Sequence, residues 1–83
     1  MIMTTTETLE TRLWVLMSDK LGLEHDQIKM TDSFADDLGV DSLDLFEMLT
    51  EVEKEFSIKI PDEDAEKLIT VKALVGYLHG HLS

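Results

Sequence analysis

Leu9, Leu13, Leu16 and Met17 recur at i, i+4, i+7 and i+8. That spacing gathers apolar side chains on one face of a helix. The pattern predicts a first helix from about Glu7 to Leu21, capped by Thr5 or Thr6 and ended by Gly22. A long connection follows, from Gly22 to Asp41, with Leu23, Ile28, Phe34 and Leu38 spaced through it. Those apolar residues predict a connection pinned to the core rather than free, and a loop this long in so small a chain tends to be functional. A second helix is predicted from Asp41 or Ser42 to about Phe56, with Asp41 as a good N-cap. Leu45, Met48, Leu49, Val52 and Phe56 form its buried stripe. Asp44, Glu47, Thr50, Glu51 and Lys54 are expected on the opposite face, and Leu43 and Phe46 fall off the stripe close to Ser42. Ser57 to Pro61 alternates briefly but has no partner segment, so it reads as an extended connector. Pro61 then opens a short third helix, about Asp62 to Lys67. Thr70 starts a fourth that carries Val71, Leu74, Val75 and Leu78 on one face and ends around Gly80. Three longer helices and one short one make an all-α fold, a small four-helix bundle.

The 83 residues are expected to form a single domain, 1–83, with a small core. The sequence contains no cysteine, which excludes a disulfide framework and a thiolate metal site. The start of the chain lacks the basic and apolar regions of a signal peptide, and no later segment is long and apolar enough to span a bilayer. A soluble, cytoplasmic protein is expected. Charge changes the picture more. Eighteen acidic residues oppose seven basic ones, for a net charge of −11. Twelve of the acids fall between Asp36 and Glu66 against Lys54 and Lys59 alone, a local net charge of −10. Such a field repels nucleic acid and anionic membranes and attracts basic protein surfaces.

The acids surround one candidate for chemistry. Ser42 follows Gly39-Val40-Asp41 at the predicted start of the second helix. Serine and aspartate are common at helix starts simply because they satisfy backbone N–H groups. A phosphate ester would also suit that place, because the helix terminus favours negative charge, and Gly39 permits a tight turn that exposes the hydroxyl. A hydrolytic serine would need a base and an oxyanion hole. His25, His79 and His81 are distant in sequence, and the Gly-x-Ser-x-Gly pattern is absent. An EF-hand fails too: with Gly39 at its sixth position, Phe34 and Leu38 would stand at the first and fifth. His79-Gly80-His81 lacks a third ligand and reads as two exposed polar residues. No catalytic residue and no metal site are expected.

Leu38-Gly39-x-Asp41-Ser42-Leu43-Asp44 resembles the signature of acyl carrier proteins. Phe56-x-Ile58-x-Ile60-Pro61-Asp62-Glu63 is similar to the junction of the second and third helices in the discrete bacterial type. Thr70-Val71 and Tyr77-Leu78 are similar to the fourth helix, and Phe34 ahead of an acidic pair is similar to the loop. The resemblance covers nearly the whole chain. It implies an acyl-carrier-protein-like bundle that is a carrier and not an enzyme. A 4'-phosphopantetheine arm would be attached covalently to Ser42 by a phosphopantetheinyl transferase, and acyl groups would ride on it as thioesters. It implies a core between the second and third helices that opens to admit an acyl chain. Partners would be acyl-processing enzymes of fatty-acid synthesis or related pathways, with basic docking patches. Asp41, Asp44, Glu47 and Glu51 would steer them and Leu43 and Phe46 would add apolar contact. A monomer with no stable membrane insertion is expected. The chain departs from the family at Val40, where alanine is common, and at Thr50, where an apolar residue is common. It also departs at Lys54, which interrupts an acidic run, and at Trp14 and Val15, on outer positions of the first helix that are usually polar. These departures leave open a specialised pathway (polyketide, lipid A or another secondary lipid). From another class, an unmodified acidic helical interaction module remains as an alternative.

Overall fold

A computed structural model describes residues 8–82. Four helices account for its regular structure: α1 (Leu9–Leu21), α2 (Ser42–Phe56), α3 (Asp62–Ala65) and α4 (Val71–Leu82). No strand occurs among the described residues, and the fold is the small all-α bundle that the apolar spacing predicts. Leu13 and Met17 of α1, Met48 and Val52 of α2, and Val71, Leu74 and Leu78 of α4 are wholly buried together with Phe34 from the long connection. Of the expected extended connector, Ser57 instead closes α2 in the left-handed region at φ 56°, and residues 58–61 run on to α3 without helix or strand.

Several boundaries differ from expectation. Thr5, Thr6 and Glu7 lie outside the described residues, and the cap of α1 is Thr8, whose hydroxyl accepts from Thr11 N at 3.1 Å. Threonine satisfies an orphan N–H equally well at any of these positions, so a threonine run conceals the true cap. The third helix is shorter than Asp62–Lys67. Past Ala65 the chain tightens into bonds from Lys67 N to Asp64 O and from Leu68 N to Ala65 O, which draws buried Leu68 into the core. The fourth helix runs through Gly80 to Leu82. Gly80 does not take up the left-handed conformation of a helix stop; positive φ among the described glycines is confined to Gly22 and Gly39. His81 holds the last turn, its ring stacked on Tyr77 at 4.1 Å with Nδ1 2.9 Å from the Tyr77 carbonyl. Trp14 is not an outer residue. It is half-buried, and its indole Nε1–H donates to Ile28 O at 3.2 Å. Its neighbour Val15 is the exposed one.

Side-chain clasps join the helices. Arg12 donates through Nε and Nη2 to Glu55 Oε2 and through Nη2 to Glu55 O, and lies 4.7 Å over the Phe56 ring. It thereby ties α1 to the carbonyl end of α2, where a cation also suits the helix dipole. Glu10 and His79 meet at 2.8 Å between α1 and α4. The hydrogen bond to the His79 ring holds the Glu10 carboxyl below its ordinary range. Tyr77 donates from α4 to Asp64 Oδ2 of α3 at 2.8 Å.

The long connection is latched to α4. A single 3-10 turn, His25–Gln27, opens it. Further on, the carbonyls of Met30 and Asp32 accept from Lys72 N and Val71 N, while Phe34 N donates to Ile69 O. The first N–H groups of a helix have no partner within it. Here the connection supplies two partners and Thr70 Oγ1 a third, to Ala73 N. Ile28 and Phe34 are buried as their spacing predicts, with Leu23 and Leu38 packed against the core.

Candidate functional site

The latched connection leads directly to Ser42. Ser33 organises a turn: its carbonyl accepts from Asp37 N and Leu38 N, and its own N–H donates to Asp37 Oδ2 at 2.7 Å. Asp32 Oδ2 likewise accepts from Lys29 N. Asp37, counted within the acidic stretch, is therefore also a turn-forming residue, a role aspartate takes through local backbone bonds. Gly39 follows at φ 68° with open space where a Cβ would stand. The need for glycine there is conformational rather than steric. Buried Val40 then anchors the chain, its N–H donating to Phe34 O at 2.8 Å.

Asp41 caps α2 as expected, its Oδ1 accepting from Asp44 N at 2.8 Å. Ser42 is the first residue of the helix and is exposed. Asp41, Leu43, Asp44, Phe46 and Glu47 are all exposed around it, Leu43 at 65% and Phe46 at 61%. Two large apolar side chains in water beside a serine and three carboxylates make a mixed surface suited to a partner. Glu51, one turn further along, shares a recess with Phe46 and Glu47. It is half-buried beside Lys54, its carboxylate 3.6 Å from Nζ, in a recess between α1 and α2 that Val15 and Leu16 also line.

No histidine is placed to activate the serine. His79 and His81 are engaged with Glu10 and Tyr77, and His25 lines a recess with Trp14 and Met30. Among the described residues no cluster of three or more His, Cys, Asp or Glu is arranged to hold a metal.

A groove of about 460 Å³ runs between α2 and α3. Phe46, Leu49, Thr50 and Glu53 of α2 form one wall, and Ile60, Pro61 and Ala65 close the other side. Thr50 sits at the border of two surfaces, since it lines this groove and also a recess with Glu47 and Glu51, the acids whose face it was expected to share. It is half-buried, its hydroxyl donating to Phe46 O at 3.0 Å. Glu53 is half-buried as well, and its Oε2 accepts from Ile60 N at 2.6 Å. The signal was present in the spacing: 46, 49, 50 and 53 stand at i, i+3, i+4 and i+7, but two polar members hide the stripe from a search for apolar residues.

Ser42 is thus an exposed hydroxyl at a helix start, ringed by acids and apolar side chains and without an adjacent base. Residues 11–78 match the family model described as the phosphopantetheine attachment site. The match spans most of the chain, which therefore belongs to the phosphopantetheine attachment-site family. Members of this family are typically carriers rather than catalysts. The residues fit such a group: the hydroxyl is reachable, and a phosphate ester on the first residue of a fifteen-residue helix lies at the favourable end of its dipole. Among the described residues no helix is long and apolar enough to cross a membrane.

Proposed function

We propose that Ser42 is the attachment point of the 4'-phosphopantetheine arm and that the chain carries acyl intermediates on it for partner enzymes. The observation that carries this reading is the exposed Ser42 hydroxyl at the start of α2 in a chain of the attachment-site family. In the transfer, Ser42 Oγ attacks the pantetheine-side phosphorus of coenzyme A. The new O–P bond forms as the bond to adenosine 3',5'-bisphosphate breaks, and the hydroxyl proton passes to a base on the transferase. The bound arm supplies a terminal thiol that holds acyl groups as thioesters. The chain's own contribution is display and recognition. Asp41, Asp44 and Glu47 draw basic enzyme surfaces toward the serine, with Glu51 at the margin, and Leu43 and Phe46 supply apolar contact once they meet. The groove between α2 and α3 shelters the cargo.

The partners are a phosphopantetheinyl transferase and acyl-processing enzymes of fatty-acid synthesis. Thr50 and Glu53 in the cargo groove favour a specialised pathway as the second reading. The deciding experiment incubates unmodified protein with a broad-specificity transferase and coenzyme A, then measures intact mass. One phosphopantetheine adduct is expected on the wild type and none on Ser42→Ala, with equal helical content by circular dichroism. An adduct surviving on the alanine variant would place the site at another serine. No adduct on either protein would leave an acidic interaction module.

A further inference from the structure

We propose that the α2–α3 groove selects cargo bearing a hydrogen-bond donor close to its thioester. The favoured chain is a 3-hydroxyacyl group, over the saturated or 3-oxo chain of equal length. This rests on the reading of Ser42 given above and concerns the chemistry of what the groove takes.

The groove wall on α2 is divided. Phe46 and Leu49 lie nearer Ser42, while Thr50 and Glu53 follow on the same stripe. By helical rise, Thr50 and Glu53 stand about 12 and 16 Å along the axis from Ser42. On this proposal the tether runs from Ser42 along that wall, and the oxygen functions next to the thioester come to rest beside the polar pair.

That polar pair offers acceptors. The Thr50 proton is committed to Phe46 O at 3.0 Å, so its oxygen presents lone pairs. Glu53 Oε2 already accepts from Ile60 N, and a carboxylate retains further acceptor sites but has no proton to give. Lys59 also lines the groove, but it is exposed and keeps its ammonium in water. A 3-hydroxyl donates into this wall. A 3-oxo group brings lone pairs against lone pairs. A saturated chain strips water from half-buried acceptors and returns nothing, which is the costly case for a polar group.

The test loads wild type, Thr50→Val and Thr50→Ser with octanoyl, 3-hydroxyoctanoyl and 3-oxooctanoyl arms from the corresponding coenzyme A thioesters. Two quantities are read for each: the rate of thioester cleavage by hydroxylamine and the melting temperature. Dividing each rate by that of the free pantetheine thioester removes intrinsic reactivity. In the wild type, the 3-hydroxyoctanoyl form should be the best protected and the highest melting. The hydroxy-to-saturated protection ratio should fall about fivefold in Thr50→Val, the worth of one ordinary hydrogen bond. Thr50→Ser should restore it. Thr50→Ala, which also lacks the oxygen, takes the place of the valine variant should that one fail to fold. A ratio unmoved by removing the oxygen, or equal protection of 3-oxo and 3-hydroxy chains, overturns the proposal while leaving Ser42 as the attachment point. Absence of any adduct by intact mass overturns both.

Discussion

Tyr77 is the single tyrosine of the chain, which makes its contact with Asp64 open to direct measurement. The bond joins α4 to α3, and α3 forms one side of the α2–α3 groove. Tyr77→Phe removes the hydroxyl and little else. A hydrogen bond to a carboxylate is worth about 1.5–3 kcal/mol when well enclosed. Tyr77 and Asp64 are only half-buried, and water replaces part of what is lost, so about 1 kcal/mol is the appropriate figure. At roughly 2.1 cal/mol/K per residue, a chain of this length has an unfolding entropy of about 170 cal/mol/K, so the melting temperature should fall by about 6 °C. Partial burial and the bond to Asp64 push the Tyr77 hydroxyl up to about 12 from its ordinary 10.0. A pKa raised by folding means that the folded state holds the proton more tightly. The stabilisation is therefore fully present below pH 10 and is lost as pH rises through about 12. The melting-temperature gap between wild type and Tyr77→Phe should be constant below pH 10 and shrink above it. Tyrosinate absorbance in an alkaline titration of the native protein should show a midpoint displaced upward from that of the denatured chain. A variant melting within a degree of wild type, with a native midpoint at the ordinary value, would refute this account of the α3–α4 contact.

Two further outcomes are expected. Asp44→Lys and Glu47→Lys should each slow phosphopantetheinylation several-fold, mainly through apparent affinity and more at low salt, because charges at a docking rim act on encounter. Glu10→Lys, on the helix pair that meets His79, changes net charge equally and should do much less; equal losses at all three positions in transferase kinetics would point to a diffuse field instead. Ser57 ends α2 in the left-handed region at φ 56°. Ser57→Gly relieves a strain of about 1 kcal/mol and returns part of it as chain entropy. Thermal denaturation should therefore show a rise of a few degrees, and a fall would mean that the serine is not strained.

The parts of the fold legible in the sequence are those written as uninterrupted apolar stripes. Leu13 and Met17, Met48 and Val52, and Leu74 and Leu78 all occupy the core their spacing assigned. Ser42 and its Asp41 cap were legible because a short side chain at a helix start has a direct backbone consequence. Two of the misreadings share a physical origin, since each concerns a residue with both an apolar body and a polar end. Trp14 occupies an outer position by periodicity, yet its ring packs inward because its N–H finds Ile28 O. Thr50 reads from its spacing only as a member of the acidic face because nothing local reveals that α3 packs along its other side. Gly80 has the residue type of a helix stop, but the stacking of His81 on Tyr77 continues the helix through it.

The latch between the connection and α4 has a consequence for how the chain reaches its native state. Ser33 and Thr70 are bridged across 37 intervening steps of sequence, so this contact closes one of the longer loops in the fold. The α1–α2 clasp of Arg12 on Glu55 is a closure of similar length, 43 residues, but the bonds at Phe34, Val71 and Lys72 exist only once the connection and the start of α4 are in register. The approach to Ser42, from Phe34 through Val40, thus takes its final geometry only when that distant contact is made. A chain arrested before closure would carry the same serine, the same acids and much of the same helix content. It would lack the backbone path that sets the hydroxyl at the head of α2. Display of Ser42 is in this sense a report that folding has finished, written by a segment nearly half the chain away.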